Sequence, residues 1–324
     1  MKKQKIRFYA ALLCSSMVFS LVSTPVSAAE TGQLTNPPTS TEELSSPESI
    51  SGNEAASALN GLSVLAANGE AEVTTASELT GALADSSISR ITLKGDIDIG
   101  STLTVNRTVT LDLNGCVLKM TGSDSVIKVE ADGDLTIQDR NTTTQHKFNP
   151  HCKYQTWYID MWELDNGGSE IVSGGVITGG GGDQSNGGGV LVAGGTLVMA
   201  GGSIVGCSAM SRGGGVCNNG TFIMSDGMIK GCTSPDGQYA SGGGVRNSNQ
   251  FTMTGGMIGD PDNENDASHV YNTSSQETTL TISGNAKIYT DITNVGILNA
   301  DGGEIAGTMT NDTNRYGNRV GGGD

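Results

Sequence analysis

From Arg90 onward the chain alternates apolar and polar residues in short runs. The stretch "RITLKGDIDIGSTLTVNRTVTLDLNGCVLKM", Arg90 to Met120, places Ile, Leu and Val on alternate positions and interrupts them with Gly, Asp and Asn. A period of two with turn residues between the runs predicts successive short strands without intervening helices. One helical pattern precedes them. In "TTASELTGALADSS", Thr75 is placed as an N-cap with Glu78 three residues on, and Leu79, Ala82 and Leu83 share one face, so a short capped helix is expected there.

Further along, one phrase is written three times: "GGGVLVAGGTLVMAGGSIVGC" from Gly187, "GGGVCNNGTFIMSDGMIKGC" from Gly213 and "GGGVRNSNQFTMTGGMIGD" from Gly242. Related closures end at Ile177, Ile204, Ile229, Ile258, Ile288 and Ile305, in steps of 27, 25, 29, 30 and 17 residues. Turns absorb the differences in length while the strands keep register. Ahead of the closures stand Leu197 and Met199, Phe222 and Met224, Phe251 and Met253, and Leu280 and Ile282; before them, Val190, Val216, Val245 and Val270 mark a third strand. A helix-free period of this size predicts a solenoid of three short strands per coil, in which each residue lies about 4.8 Å from its counterpart one coil away. Like then stacks on like: Leu197, Phe222, Phe251 and Leu280 form one column, Met199, Met224, Met253 and Ile282 a second, and Ile204, Ile229 and Ile258 a third. Glycine recurs because the bends need backbone angles that side chains resist.

These residues resemble right-handed parallel β-helix proteins of the pectin-lyase-like superfamily. The order "TASELTGALA", "ITLKGDIDI", "TVTLDLNGCVLKM" and then repeated "GGGV" and "GTF" phrases is more closely similar to exported surface proteins of Gram-positive gut bacteria. The fold class implied is all-β, a single-stranded right-handed parallel β-helix with one N-terminal capping helix. The resemblance covers about Ala71 to Gly307 and is specific for fold and export, not for activity, since such coils host lyases, hydrolases, adhesins and passive stalks alike. The Asn-Thr-Asp, Asp-Asp, Gly-His-Gly and Arg-Ile-Lys motifs of its polygalacturonase-like members are missing. The expectation is therefore a non-catalytic secreted or surface protein, adhesin-like or glycan-binding. The alternative is a divergent polysaccharide lyase or glycoside hydrolase.

The first residues change the picture of where this happens. Lys2, Lys3, Lys5 and Arg7, an apolar run from Phe8 to Val22 and the small residues Val26-Ser27-Ala28 predict a secretory signal peptide over 1–28. Residues 29–70, rich in Ser, Thr, Pro and Glu, read as a disordered acidic spacer before a β-helix domain at 71–324. No later segment approaches the roughly 20 apolar residues of a membrane span, so an extracellular or surface-associated chain is expected. A net charge of −16, more negative still without the basic leader, disfavours nucleic acid and anionic membranes as partners. The mature cysteines, Cys116, Cys152, Cys207, Cys217 and Cys232, are too few for a disulfide scaffold and odd in number. Cys207 and Cys232 occupy equivalent places and should be neighbours.

Candidate chemistry concentrates in an insertion at about 139–169. It holds Tyr154, Trp157, Tyr158 and Trp162 in a chain only 4% aromatic. These rings are candidates for a platform that stacks on sugar, with polysaccharide or a host or cell-wall surface as partner. The competing reading is a hairpin that buries them against the coil. His146, His151 and Cys152 in the same insertion lack a fourth ligand for zinc. No cofactor is expected, but "GDPDNENDAS", with Asp260, Asp262, Glu264 and Asp266, has the oxygen density of a calcium loop. An EF-hand needs Gly where Asn265 stands and Glu where Tyr271 stands, so a solvated acidic turn is the expectation and calcium the alternative. The glycine run Gly179–Gly189 lacks the Lys-Ser/Thr pair and following helix of a phosphate loop. Arg212 and Arg246 are read as solvated residues beside turns.

Overall fold

A computed structural model of the chain describes residues 69–150, 162–181, 186–210, 212–234, 242–263, 266–273 and 277–311. All of them lie within one compact unit, Ser51–Asp324. The expected signal peptide and nearly all of the spacer fall outside the described residues. The described part is mostly β, with one helix and two large parallel sheets.

The helix spans Ala76–Ala84 and begins as its sequence requires. Thr75 Oγ1 accepts from the Glu78 amide, and Glu78 returns its carboxylate to the Thr75 amide, closing a capping box. Leu79, Ala82 and Leu83 are its buried face, and they join the main core at its N-terminal end. Before the helix, and outside the alternating run from Arg90 onward, stands the strand Glu70–Val73, which pairs in parallel with Arg90–Leu93 and buries Ala71 and Val73.

The larger sheet is a ladder of successive repeats. Val109 faces Leu135, Leu135 faces Leu197, and the column continues through Phe222, Phe251, Leu280 and Leu298. A second column runs from Ile91 through Leu111, Ile137, Met199, Met224, Met253 and Ile282 to Ala300. The closures also stack, from Ile97 and Leu118 through Ile177, Ile204, Ile229, Ile258 and Ile288 to Ile305. All three expected columns are therefore in register. Phe222 and Phe251 stack with ring centroids 4.5 Å apart and planes 9° from parallel. Each large apolar side chain buried in this way contributes about 1.5–3 kcal/mol, so each strand of the ladder stabilises the next.

The strand Val190–Val192 and its counterparts form the second parallel sheet, eight strands in all, with Val190, Val216, Val245, Val270 and Ile292 in one column. Two residues beyond that column lies a feature the valines concealed. Asn218, Asn247, Asn272, Asn294 and Asn311 form a ladder in which each side-chain Nδ2 donates to the next Oδ1, at 2.8, 2.7, 2.7 and 3.0 Å.

The glycines mark corners rather than strand ends. Thr196–Val205 and Thr221–Lys230 are continuous ten-residue strands, bent where their pairing shifts register near Gly202 and Gly227. Gly227 has φ 92°, and a Cβ there would meet the Gly202 carbonyl oxygen of the rung below at 2.5 Å. Only glycine fits both constraints.

Candidate functional site

The insertion folds as a small antiparallel sheet of its own. Gln145–Asn149 pairs with Glu163–Leu164 on one side and with Glu170–Ser173 on the other, so it reaches Ser173, past the expected boundary. Phe148, Trp162 and Val172 of the insertion pack against Val176 and Val205 of the larger sheet. Trp162 is 1% exposed, its ring 6.4 Å from that of Phe148. Its amide donates to the Gly231 carbonyl at 3.2 Å. A Cβ on Gly231 would lie 2.2 Å from the indole Cγ, and one on Gly206 would lie 2.0 Å from the Trp162 carbonyl oxygen. Two glycines of successive rungs thus make the seat for one tryptophan.

A ring with no free face cannot stack on a sugar, so Trp162 corrects the platform expectation at its own position: it braces the insertion. Tyr154, Trp157 and Tyr158 lie outside the described residues, as do His151 and Cys152. His146 Nε2 stands 3.0 Å from the Gly115 carbonyl oxygen.

The acidic turn is less solvated than its composition suggests. Asp262 is exposed, but Asp260 and Asp266 are buried, and Glu264 lies outside the described residues. Asp260 pairs with Lys230, Nζ to Oδ2 3.4 Å, and Lys230 Nζ lies 4.2 Å from the centroid of the Trp162 ring. Asp266 accepts from the Gly231 amide at 3.2 Å and the Ser268 amide at 2.9 Å. Burial pushes its carboxyl above the ordinary carboxylate range, with those hydrogen bonds pulling the other way. Both carboxylates thus turn inward to protein donors, where a calcium loop would turn them toward a shared ion. Among the described residues no group of three or more His, Cys, Asp or Glu is placed to hold a metal.

Arg246 also departs from its expected place. It sits in the middle of the strand Val245–Asn247, between Cys217 and Tyr271 of the flanking rungs, and its Nη1 is buried. Burial lowers its pKa, and the charge of Arg212 lowers it further. Cys207 and Cys232 do lie on adjacent rungs, joined through a 2.9 Å bond from the Thr233 amide to the Cys207 carbonyl, and both are free thiols. Burial raises the Cys232 thiol well above its ordinary value. A protonated, enclosed thiol is a packing group, not a nucleophile.

What remains regular is the outward side of the larger sheet, half-buried along most of its length and exposed at Glu70, Thr108, Asp134, Gln250 and Asn299. One column there runs Glu70, Arg90, Thr110, Thr136, Val198, Ile223, Thr252, Thr281 and Asn299. Beside it runs Thr108, Asp134, Thr196, Thr221, Gln250, Thr279 and Ile297. Along each column side chains recur about every 4.8 Å, and between columns the step is about 6.7 Å. The longer column therefore spans about 38 Å, a strip of hydroxyls and amides among short apolar side chains, charged chiefly at its N-terminal end. The Glu70–Arg90 and Glu72–Lys94 pairs at that end, 3.3 and 2.7 Å, are partly or well exposed and contribute little to stability.

Residues 70–173, about a third of the chain, match the family described as a pectate lyase-like adhesive domain. The match begins at the first parallel strand and ends with the last strand of the insertion. No curated protein and no solved structure matches the chain. Among the described residues no helix is long and apolar enough to cross a membrane.

Proposed function

We propose that this chain is an exported right-handed parallel β-helix, three strands to the coil, that adheres to an extended polysaccharide or to a cell-wall or host surface without cleaving it. The outward strip of the larger sheet carries the reading: it keeps one spacing over nine rungs, with a threonine hydroxyl at four of them, Thr110, Thr136, Thr252 and Thr281. A polymer lying along such a strip meets the same weak contacts again and again, and contacts that are feeble singly add through multivalency. The similarity of residues 70–173 to an adhesive domain supports the same conclusion. Residues 1–28 direct export and residues 29–70 space the coil from its point of attachment. Tyr154, Trp157 and Tyr158 extend the contact surface, with Trp162 as the buried root of the insertion that carries them.

The carboxylates bonded within the protein fit adhesion better than cleavage. Asp112 accepts from Gln138 Nε2 and from Arg140, and Asp139 accepts from the Gly115 and Gly175 amides at 2.7 Å each. Glycosidic cleavage by two acids needs a pair that faces substrate across several ångströms, not carboxylates committed to backbone amides. The test is a glycan array probed with the full chain and with Thr252→Glu, Thr281→Glu. These changes put two like charges on the strip while leaving the core columns alone. Binding about tenfold weaker or worse with unchanged melting is expected, and undiminished binding would sink the assignment of the strip.

A further inference from the structure

Lys230 ends the strand Thr221–Lys230, and Asp260 stands just beyond the strand Met257–Ile258 that pairs with it on the next rung. Their side chains are only 8% and 6% exposed, with Nζ 3.4 Å from Oδ2. The Trp162 indole covers Nζ. Asp266, 4% exposed, is near enough that the charge of Asp260 adds to the burial that already favours its protonated form. In the same cluster Trp162 Nε1 is buried with no acceptor among the described residues.

Such a pair is costly as ions, because the desolvation of two buried charges offsets much of their attraction. An amine held against a carboxyl group in an enclosed site is a reacting pair whose translational entropy is already lost on folding. We propose that Lys230 and Asp260 condense into an intramolecular amide that staples consecutive rungs.

The step is balanced within the protein. The Lys230 ammonium gives one proton to the Asp260 carboxylate, and the neutral Nζ attacks Cγ to form the Nζ–Cγ bond. A second proton leaves Nζ and reaches the departing oxygen through the Asp266 carboxyl, which is regenerated. The Cγ–O bond breaks and water departs. One ammonium and one carboxylate become one secondary amide and one water, with no oxidant, reductant or co-reactant. The bond closes a covalent loop around a full coil, so pulling on the chain cannot peel these two rungs apart. The staple stands independently of what the outward strip binds.

Peptide mapping of the purified full chain by tandem mass spectrometry tests this. The expected product is a branched peptide joining the Lys230 and Asp260 segments, lighter by one water than the two separate peptides together. Lys230→Met, which keeps the length and apolar stem, should yield only separate peptides. Asp266→Asn should lose most of the branched peptide while keeping the fold, read by an unchanged far-ultraviolet spectrum. Recovery of the two segments as separate unmodified peptides from the wild-type chain overturns the proposal, whatever the variants do. Full condensation in Asp266→Asn overturns the proton relay.

Discussion

Replacing Trp162 by alanine lowers the stability of the chain by about 3–5 kcal/mol, the range for deleting a large buried aromatic side chain. The indole fills the space between Phe148 and Val205 and rests on Gly231, a residue that cannot grow a side chain to close the gap because its φ is 60°. The deletion also opens the Lys230–Asp260 pair to water. Thermal unfolding followed by circular dichroism reads the effect. Trp162→Phe should recover part of the loss, because it restores ring volume without the indole. A melting temperature unchanged by Trp162→Ala, with glycan binding lost, would instead make this ring a ligand platform and contradict its placement in the core.

Asn247→Asp should be as damaging, roughly 3–5 kcal/mol, although the two side chains have almost the same shape. Asn247 is fully buried, and its Nδ2 donates to Asn272 Oδ1, Thr279 O and Asn249 O at 2.7, 2.9 and 3.2 Å. A carboxylate would aim an acceptor at those acceptors and carry an unpaired charge into the core. The ladder supplies its own control. Asn311, exposed on the last of the described strands, has water as an alternative partner, so Asn311→Asp should cost well under 1 kcal/mol. Equal losses at both positions, measured by denaturant unfolding, would mean that the amide chain does not act as drawn.

Much of this architecture was readable because a ladder of parallel strands repeats itself. Leu197, Phe222 and Phe251 announce their register by occupying equivalent places, and no knowledge of distant partners is needed. The asparagine ladder was equally available, since a β-branched or apolar residue stands two before each of Asn218, Asn247, Asn272 and Asn294; attention to the apolar member hid the polar one. Trp162 is a different case. Its burial depends on Gly206, Gly231 and Lys230, which lie in other repeats and are linked to it by no periodicity. Arg246 and Asp260 mislead for a related reason: a charged residue near glycines or in an acidic run reads as solvated, and only the neighbouring rungs decide otherwise. The outward strip is hard to see in the sequence because its threonines are unevenly spaced along the chain. The register shows that uneven spacing along the chain can still give straight columns, since the turns absorb the difference.

Adhesion without turnover is the central claim, and one measurement addresses it most directly. The full chain is incubated with insoluble polygalacturonate and, in parallel, with other extended polysaccharides that the array identifies. Bound protein and soluble saccharide are then quantified in the same tube over time. The account predicts protein retained on at least one polymer and released by competing soluble chains of it, with the soluble saccharide no higher than in the protein-free control. Time-dependent release of unsaturated or reducing-end sugar would contradict it and make this chain an enzyme.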